Sequence, residues 1–502
     1  MLKQLFLSMK QNIFFSLFGF ILVLFQITGF LLATFENITC SFLVTTAVLL
    51  VSILFGSLLG ILIGFLYSKI YFDPEKRLYR HVCSNDTFCF FIFIIIAISY
   101  VPIFLTYFPG ILSYDFMIQL GQVQSGNYSD QLPFVHTFMI QFFYNFGVEF
   151  LLSGSLGIGL YTIAQFFFLA FACTYSLFIL FLLKVEKRYI FLILLFYMFF
   201  PNIQFMSIST TADTIFAAFV LILISSLAYL FTTKSRGAFF SCHITMFIIG
   251  ILGTLAFKNN GIYALLATIV VACIVLIFYK NKRLHILKVI SIMLASTLIG
   301  FFFLSTIATA TCYTQGDRSE MLSIPIQQFT SIDTNPSDYI NAFSVQNIGF
   351  LYIFDTSHAT INSVDEMSGY GYIQTHEFWD DLAAADIYKS SFFETAYYYL
   401  EEWTNSNAYL NIPVLNLFMA PGIWLYFVLF LVACVFHDKR YGFLIPLAFL
   451  LGYYLTIILG PTVQLRYIFP VMLCIPTLTI LYLSRKEPHA STRNNESKTL
   501  YE

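Results

Sequence analysis

Charged residues are scarce in this sequence. Asp, Glu, Lys and Arg make up 10% of the 502 residues, whereas soluble domains carry about 25%. Hydrophobic residues make up 59% of the chain and aromatic residues 19%. This composition excludes an ordinary soluble domain. The formal net charge of −2 provides no basic excess that would attract nucleic acid.

Two further scarcities narrow the class of protein. The nine cysteines lie mostly in apolar runs and lack metal-ligand spacing, so a disulfide framework is not expected. Ionisable residues are nearly missing from the apolar runs, where His243 is the exception. Because ionisable groups inside a membrane usually mark ion or proton pathways, their scarcity argues against coupled transport.

Apolar runs long enough to cross a bilayer, roughly 17 to 25 residues each, recur along the chain. They predict an all-α polytopic membrane protein with about twelve transmembrane helices. The runs lie near 13–34, 43–67, 88–107, 156–183, 189–209, 214–233, 240–257, 261–279, 289–310, 412–436, 441–460 and 467–484. We interpret the apolar segment 133–151 as an interfacial or partly buried helix, since another span there would place the basic loop 184–188 outside.

The basic residues predict the orientation. Of the 25 Lys and Arg residues, this threading places 21 on one side, and Lys258, Arg318, Lys389 and Arg466 on the other. Short basic loops stay in the cytoplasm. The sequence therefore predicts a multi-pass plasma-membrane protein with both termini cytoplasmic.

The threading divides the chain into five parts. We predict N-terminal transmembrane helices, a transmembrane module whose outer loop is 108–132, a small extracytoplasmic domain, C-terminal transmembrane helices and a cytoplasmic tail. Their residues are 1–87, 88–310, 311–411, 412–484 and 485–502.

The outer loop displays one acid at the start of a short helix. Ser113 is a suitable N-cap, and Asp115, Gln119 and Gln122 follow at helical spacing, which gives the helix a polar stripe headed by a carboxylate. Asp115 is our candidate catalytic base. The alternative is that Asp115 only stabilises the first helical turn through the helix dipole.

Three other residues are candidates for supporting the catalysis: Asp130, His136 and Asp213. His136 stands one turn inside a helix that follows Pro133, where a histidine can tune proton transfer or simply complete a hydrogen bond. Asp213 follows Thr210 and Thr211, a pattern that is also ordinary at a helix start.

Two cations flank predicted spans on the outer side. Lys258 precedes an Asn-Asn-Gly turn, and Arg466 precedes the last span. Arg binds phosphate through a planar fork, so we predict that this pair binds an anionic lipid headgroup. The alternative is that both side chains only extend to the membrane interface.

Several ordered stretches together resemble a known family. These are PGILSYDFMIQLGQ, TTADTIF, KNNGIY, EMLSIPIQQF and RYIFP, which begin at Pro109, Thr210, Lys258, Glu320 and Arg466. Over roughly 88–484 they resemble an uncharacterised Gram-positive multi-span family, a domain of unknown function within the GT-C glycosyltransferase superfamily. That family usually has Lys-Asp where this chain has Ala212-Asp213.

The resemblance implies a polytopic enzyme that transfers sugar from a polyprenyl-phosphate donor on the outer face. It implies that an acid in the first outer loop, here Asp115, is the base. A cell-envelope glycan or glycopolymer would be the acceptor, and Arg318, Gln327 and Gln328 of the outer domain are candidates for binding it. No cofactor is certain. Metal dependence stays open, since the acidic pair Asp380-Asp381 is weak evidence.

Two other functions remain open. One is a transporter or flippase of a lipid-linked glycan, which needs a cation-lined cavity through the bilayer. The other is a non-catalytic envelope-assembly protein, which would tolerate the loss of Asp115.

The orientation is testable by cysteine labelling. In a Cys-less background, we expect an impermeant reagent to label a cysteine placed at position 340 in intact cells and to spare one at position 186. The reverse pattern would show that the orientation is inverted.

Overall fold

The structure is a computed structural model. It describes residues 12–34, 42–69, 85–232, 238–278, 283–312, 382–406, 408–458 and 465–484. Within these ranges the chain is helical and forms no strand, apart from one isolated bridge between Ile111 and Ser209. The predicted all-α polytopic fold is thereby confirmed.

The helices are numbered here in chain order. The first nine are α1 Ile13–Thr34, α2 Phe42–Lys69, α3 Asn85–Thr106, α4 Tyr114–Ser125, α5 Phe134–Phe150, α6 Gly154–Leu182, α7 Lys187–Phe199, α8 Pro201–Ile208 and α9 Ala212–Thr232. They are followed by α10 Ala238–Phe257, α11 Gly261–Phe278, α12 Arg283–Thr311, α13 Glu394–Asn405, α14 Pro413–Met419, α15 Pro421–Asp438, α16 Leu444–Ile458 and α17 Leu465–Ser484. Two short 3₁₀ turns, Ala408–Asn411 and Tyr441–Phe443, lie between the last helices.

The predicted spans all fall on helices, but they are not all long straight ones. In the described part of the chain, nine helices are long and apolar enough to cross a membrane, and ten if α7 and α8 form one span. These two helices meet at Pro201 with a bend of 53°, because proline cannot continue the hydrogen-bonding pattern of the preceding helix. The remaining two predicted spans correspond to the apolar helices α10 and α11.

Helix α9 lies at the centre of the bundle. It packs against α6, α10 and α17, and 89% of its apolar window is buried. Apart from Asp213 in its first turn, it carries no charged residue, which suits a helix surrounded by other helices. The start of α9 is therefore held firmly at one end of the bundle.

The N-terminal hairpin of α1 and α2 packs tightly on itself. A methyl group added to Gly19 would lie 2.2 Å from the carbonyl oxygen of Gly56, so the two backbones touch. The hairpin then joins α15 through Tyr67, whose hydroxyl donates to Asp438 Oδ2 at 2.5 Å. The Tyr482 hydroxyl donates to the same oxygen at 2.8 Å. One carboxylate thus ties α2, α15 and α17 together.

That carboxylate lies at the opposite end of α17 from Arg466. Arg440 is beside it, with Nη1 donating to the Tyr482 carbonyl oxygen at 2.8 Å. Arg466 is in the first turn of α17 and Tyr482 in its last. The bundle therefore has two distinct ends, and we call the end with Arg466 the site end.

The described part of the predicted outer domain also packs at the end of α3. The amides of Ser390 and Phe392 donate to the carbonyl oxygens of Phe108 and Leu105, each at 3.0 Å. The amide of Tyr388 donates to Ser155 Oγ at 2.7 Å, which fastens the same segment to the start of α6.

The connection from α3 to α4 is shaped by one glycine. Gly110 has φ of +145°, and a Cβ there would lie 2.7 Å from Thr162 Oγ1 and 2.9 Å from the Ile208 carbonyl oxygen. Only glycine adopts such a conformation readily. Immediately after it, the Ile111 amide donates to that Ile208 oxygen at 2.9 Å.

Replacement of Gly110 by alanine tests this connection. We expect Gly110→Ala to destabilise the protein by about 1 to 3 kcal/mol, the cost of a strained backbone position, and to lower its melting temperature in detergent. Gly121→Ala is the matched control, because a methyl group at Gly121 in α4 meets nothing within 4 Å. It should raise stability by about 0.5 to 1 kcal/mol. Equal melting temperatures for the two variants would contradict this account.

Candidate functional site

Two chain segments run side by side at the site end and start two neighbouring helices. The Thr210 amide donates to the Ile111 carbonyl oxygen at 2.9 Å, and the Ser113 amide donates to Thr210 Oγ1 at 3.2 Å. Ser113 Oγ in turn donates to the Thr210 carbonyl oxygen at 3.2 Å. These bonds join residues nearly a hundred positions apart and fix the start of α4 beside the start of α9.

Each of these helix starts carries an acid. Ser113 caps α4 as predicted, with its Oγ accepting the Phe116 amide. Asp115 follows in the first turn of α4, and Asp213 lies in the first turn of α9. Carboxylates are stabilised there by the positive end of the helix dipole. The paired segments thus bring two acids, which are distant in sequence, to one place.

Arg466 lies against both acids. Its Nη1 donates to Asp115 Oδ2 at 3.0 Å, and its Nε is 3.9 Å from Asp213 Oδ2. Lys258, in the turn between α10 and α11, donates from Nζ to Asp213 Oδ1. The four side chains form an alternating chain of charges, in the order Asp115, Arg466, Asp213 and Lys258.

The members of this charge chain differ in their access to solvent. The Asp213 side chain is 4% exposed and the Arg466 side chain 11%, whereas Lys258 and Asp115 are 19% and 28% exposed. A carboxylate as buried as Asp213 requires paired cations, because burial of an unpaired charge is very costly. Asp115 is the most accessible acid of the site.

Tyr467 connects the two cations. Arg466 Nη2 donates to its hydroxyl at 3.1 Å, and Lys258 Nζ lies 4.4 Å from the centre of its ring. Cations are attracted to the face of an aromatic ring. Tyr467 therefore keeps both positive groups on the same side of α17.

A chain of hydrogen bonds leads from α4 into the bundle. His136 Nδ1 lies 2.7 Å from Gln119 Oε1, and His136 Nε2 lies 2.7 Å from the Tyr161 hydroxyl. Tyr161 donates to Gln165 Oε1 at 2.6 Å, and Gln165 Nε2 donates to the Ser209 carbonyl oxygen at 2.7 Å. Because Gln119 is one turn after Asp115, the chain supports the helix that carries this acid.

The direction of these bonds assigns the tautomer of His136. The Tyr161 hydroxyl gives its proton to Gln165, so its oxygen accepts from Nε2–H of the histidine. Burial lowers the pKa of His136 to about 3, against a smaller opposing effect of the Asp213 charge. The ring is therefore neutral at pH 7. Gln119 Nε2 also donates to Thr137 Oγ1 at 2.9 Å, so Gln119 joins α4 to α5.

Several buried hydroxyls near the site lack hydrogen-bond partners among the described residues. They include the Tyr453 hydroxyl and Thr211 Oγ1, both on residues at most 1% exposed. Tyr453 is close enough to Asp213 and Arg466 for their charges to act on its hydroxyl. Because buried polar groups are nearly always satisfied, these hydroxyls are candidates for contacting a ligand.

Comparison with known proteins gives one similarity. A family of unknown function, DUF6020, matches residues 123–343. No curated protein and no solved structure matches the chain. The matched region includes Asp213 and Lys258, whereas Asp115 and Arg466 lie outside it.

The structure brings together four of the residues singled out from the sequence: Asp115, Asp213, Lys258 and Arg466. His136 joins them through Gln119. Asp130 is elsewhere, near Cys312, whose pKa is raised by burial and, to a smaller extent, by the Asp130 charge. The predicted acceptor-binding residues Arg318, Gln327 and Gln328 lie outside the described residues.

The structure tests for a metal-binding site only within the residues that it describes. Within them, no group of three or more His, Cys, Asp or Glu side chains could hold a metal ion. Asp115 and Asp213 instead flank a guanidinium. The acidic pair Asp380-Asp381 lies outside the described residues.

The paired role of Asp213 and Lys258 can be tested by stability. We expect Lys258→Met to lower the melting temperature by an amount equivalent to about 1 to 3 kcal/mol, because it removes a cation from a buried carboxylate. The double variant Lys258→Met/Asp213→Asn should regain much of this loss, since it leaves no buried charge without its partner. A double variant that loses as much as the sum of its single variants would show that the two residues are not coupled.

Proposed function

We propose that the protein is a membrane glycosyltransferase of GT-C type, which moves a sugar from a polyprenyl-phosphate donor to a cell-envelope acceptor. The observation that carries this proposal is the convergence of one accessible carboxylate, Asp115, with two cations at a single end of the bundle. A glycosyl transfer from a lipid phosphate requires these groups: a base for the acceptor and positive charge for the departing phosphate.

The proposed reaction assigns a role to each side chain. An acceptor hydroxyl oxygen bonds to the anomeric carbon of the donor sugar while its proton passes to Asp115. The bond between that carbon and the phosphate oxygen breaks, and the polyprenyl phosphate leaves with the electron pair. Arg466 and Lys258 stabilise the negative charge that grows on the departing phosphate. Asp213 holds the two cations in position.

The proposal places the site at the outer surface of the plasma membrane. Lys258 and Arg466 mark the site end, whereas Arg440 lies at the opposite end of α17. Short basic loops favour the cytoplasm, so the opposite end faces inward and both termini are cytoplasmic. A lipid-linked sugar would then reach Asp115 from the outer leaflet.

An apolar groove supports a lipid-linked donor. It encloses about 580 Å³ between α7, α14, α15 and α17, and it is lined almost entirely by apolar side chains, among them Phe196, Phe418, Trp424 and Ile475. Ile475 is nine residues after Arg466 on α17, which is about 13 Å along a helix. A polyprenyl chain is apolar and matches the apolar lining of such a groove.

The acceptor would approach from the predicted extracytoplasmic domain. The described segment 382–392 of that domain lies against the end of α3, at the site end of the bundle. Arg318, Gln327 and Gln328 stay predictions for acceptor binding. The sugar and acceptor can be identified by comparing envelope glycans and accumulated lipid-linked sugars of a deletion strain with those of its parent.

Replacement of Asp115 tests the proposal directly. We expect Asp115→Asn to reduce sugar transfer from a polyprenyl-phosphate donor by about 10²- to 10⁴-fold, the usual cost of losing a general base, with the melting temperature retained. Glu149→Gln, the same chemical change at an exposed residue of α5, should keep normal turnover. Near-normal turnover by Asp115→Asn would exclude Asp115 as the base. A wild-type protein that binds donor lipid but transfers no sugar would favour a flippase or an assembly protein.

A further inference from the structure

Both terminal nitrogens of the Arg466 guanidinium already donate hydrogen bonds. Nη1 donates to Asp115 Oδ2 at 3.0 Å, and Nη2 donates to the Tyr467 hydroxyl at 3.1 Å. A phosphate that binds arginine in the favoured two-pronged way needs two adjacent N–H groups. A phosphate that binds the two terminal nitrogens of Arg466 therefore meets the Asp115 carboxylate at Nη1 and competes with it.

The two acids differ in how readily they can leave Arg466. Asp213 is 4% exposed and is also bound by Lys258, so its departure would strand a buried carboxylate. Asp115 is 28% exposed, makes a single contact through one oxygen to Arg466, and stands in the first turn of a short helix that is partly open to solvent. Asp115 is therefore the carboxylate that an incoming anion would replace.

We infer that Asp115 and a phosphate group bind Arg466 in turn, so that arrival of the phosphate releases the carboxylate that takes the acceptor proton. This inference rests on the proposed function for the identity of the anion, a phosphate monoester or diester. While Asp115 accepts from Arg466, that oxygen is not available to an acceptor hydroxyl. Once the phosphate has replaced it, the carboxylate is free beside the sugar to be transferred.

The surroundings of Arg466 suit a phosphate better than they suit a carboxylate alone. The buried hydroxyl of Tyr453 has no hydrogen-bond partner among the described residues and lies within electrostatic reach of Arg466, and Thr211 Oγ1, two residues before Asp213, also has none. A phosphate offers several oxygen atoms that could accept from these hydroxyls. The exchange thus gives the site hydrogen bonds that Asp115 does not supply.

The consequence is a regulated base. Without a phosphate on Arg466, one carboxylate oxygen of Asp115 is engaged by the guanidinium. Arrival of the phosphate frees that oxygen to take the acceptor proton. The Asp115 carboxylate competes with the donor for the same guanidinium, so removal of the carboxylate should improve donor binding even though it abolishes transfer.

This opposite effect on binding and transfer is the test. The full-length protein in detergent would be titrated with farnesyl phosphate and, separately, with inorganic phosphate. We expect Asp115→Asn to bind phosphate about tenfold more tightly than the wild type, a factor that corresponds to one charge-assisted hydrogen bond that no longer has to be broken. Glu149→Gln is the matched control and should bind as the wild type does.

A double variant shows whether the gain passes through Arg466. Arg466→Gln should bind phosphate weakly, and Asp115→Asn/Arg466→Gln should bind equally weakly, with no gain from the loss of Asp115. Arg466→Lys should recover only part of the affinity, since an ammonium group cannot reproduce the planar fork. A gain that persists without Arg466 would overturn the inference.

The remaining outcomes are also decisive. Unchanged or weaker phosphate binding by a folded Asp115→Asn variant would overturn the inference, and Asp115→Ser provides a second variant for the same comparison. If neither variant folds, the Asp115–Arg466 pair is a structural tie and the inference is wrong. A gain for farnesyl phosphate alone identifies the anion as a lipid headgroup, whereas a gain for inorganic phosphate as well shows that the phosphate group suffices.

The same data separate this inference from the proposed function. Tighter phosphate binding by Asp115→Asn in a protein that transfers no sugar would uphold the exchange at Arg466 and refute the glycosyltransferase. Sugar transfer by the wild type, without a gain in phosphate affinity in Asp115→Asn, would uphold the glycosyltransferase and refute the exchange.

Discussion

The pairing of Asp213 with two cations is the interaction on which the site end depends. A carboxylate this deeply buried is tolerated only with positive partners, and both partners come from remote parts of the chain. Lys258 arrives at the end of α10, and Arg466 at the start of α17. The need to neutralise one acid at the start of the central helix thus draws three helices to a common point.

Asp115 joins this arrangement under a weaker constraint. It reaches Arg466 because the segment before α4 is hydrogen-bonded to the segment before α9, and because His136 and Tyr161 support Gln119 one turn further along. The backbone connection is hydrogen-bonded, whereas the carboxylate itself is partly exposed. Backbone support behind an accessible carboxylate suits the general base that we propose.

Hydropathy and charge were sufficient to predict the coarse features of this molecule. The apolar runs identified the helices because crossing a bilayer demands length and apolarity, and the few basic residues singled out Lys258 and Arg466. The predicted spans all fall on helices, but the bend at Pro201 could not be predicted, because it does not alter local hydropathy. Ser113 as the cap of α4 followed from local sequence and is confirmed.

The partners of the site residues could not be predicted in the same way. From the sequence we predicted that Lys258 and Arg466 bind an anionic headgroup. In the structure, each of them contacts a carboxylate. These contacts join residues 45 and 351 positions apart and leave no periodic trace in the sequence. Tyr467 is adjacent to Arg466 and could have been noticed, but Tyr161 and Gln165 look like any polar residues of an apolar helix.

The tie between Tyr67 and Asp438 bears on how the protein is made. These residues are separated by 371 positions, so the ribosome releases the N-terminal hairpin long before its partner α15 exists. During that interval α1 and α2 pack against each other and against lipid, without their contacts to α15. The backbone contact at Gly19 and Gly56 lets the hairpin persist as an independent pair, since close approach at small residues stabilises helix pairs in lipid. The last helices to be synthesised then pack against this hairpin and complete the bundle.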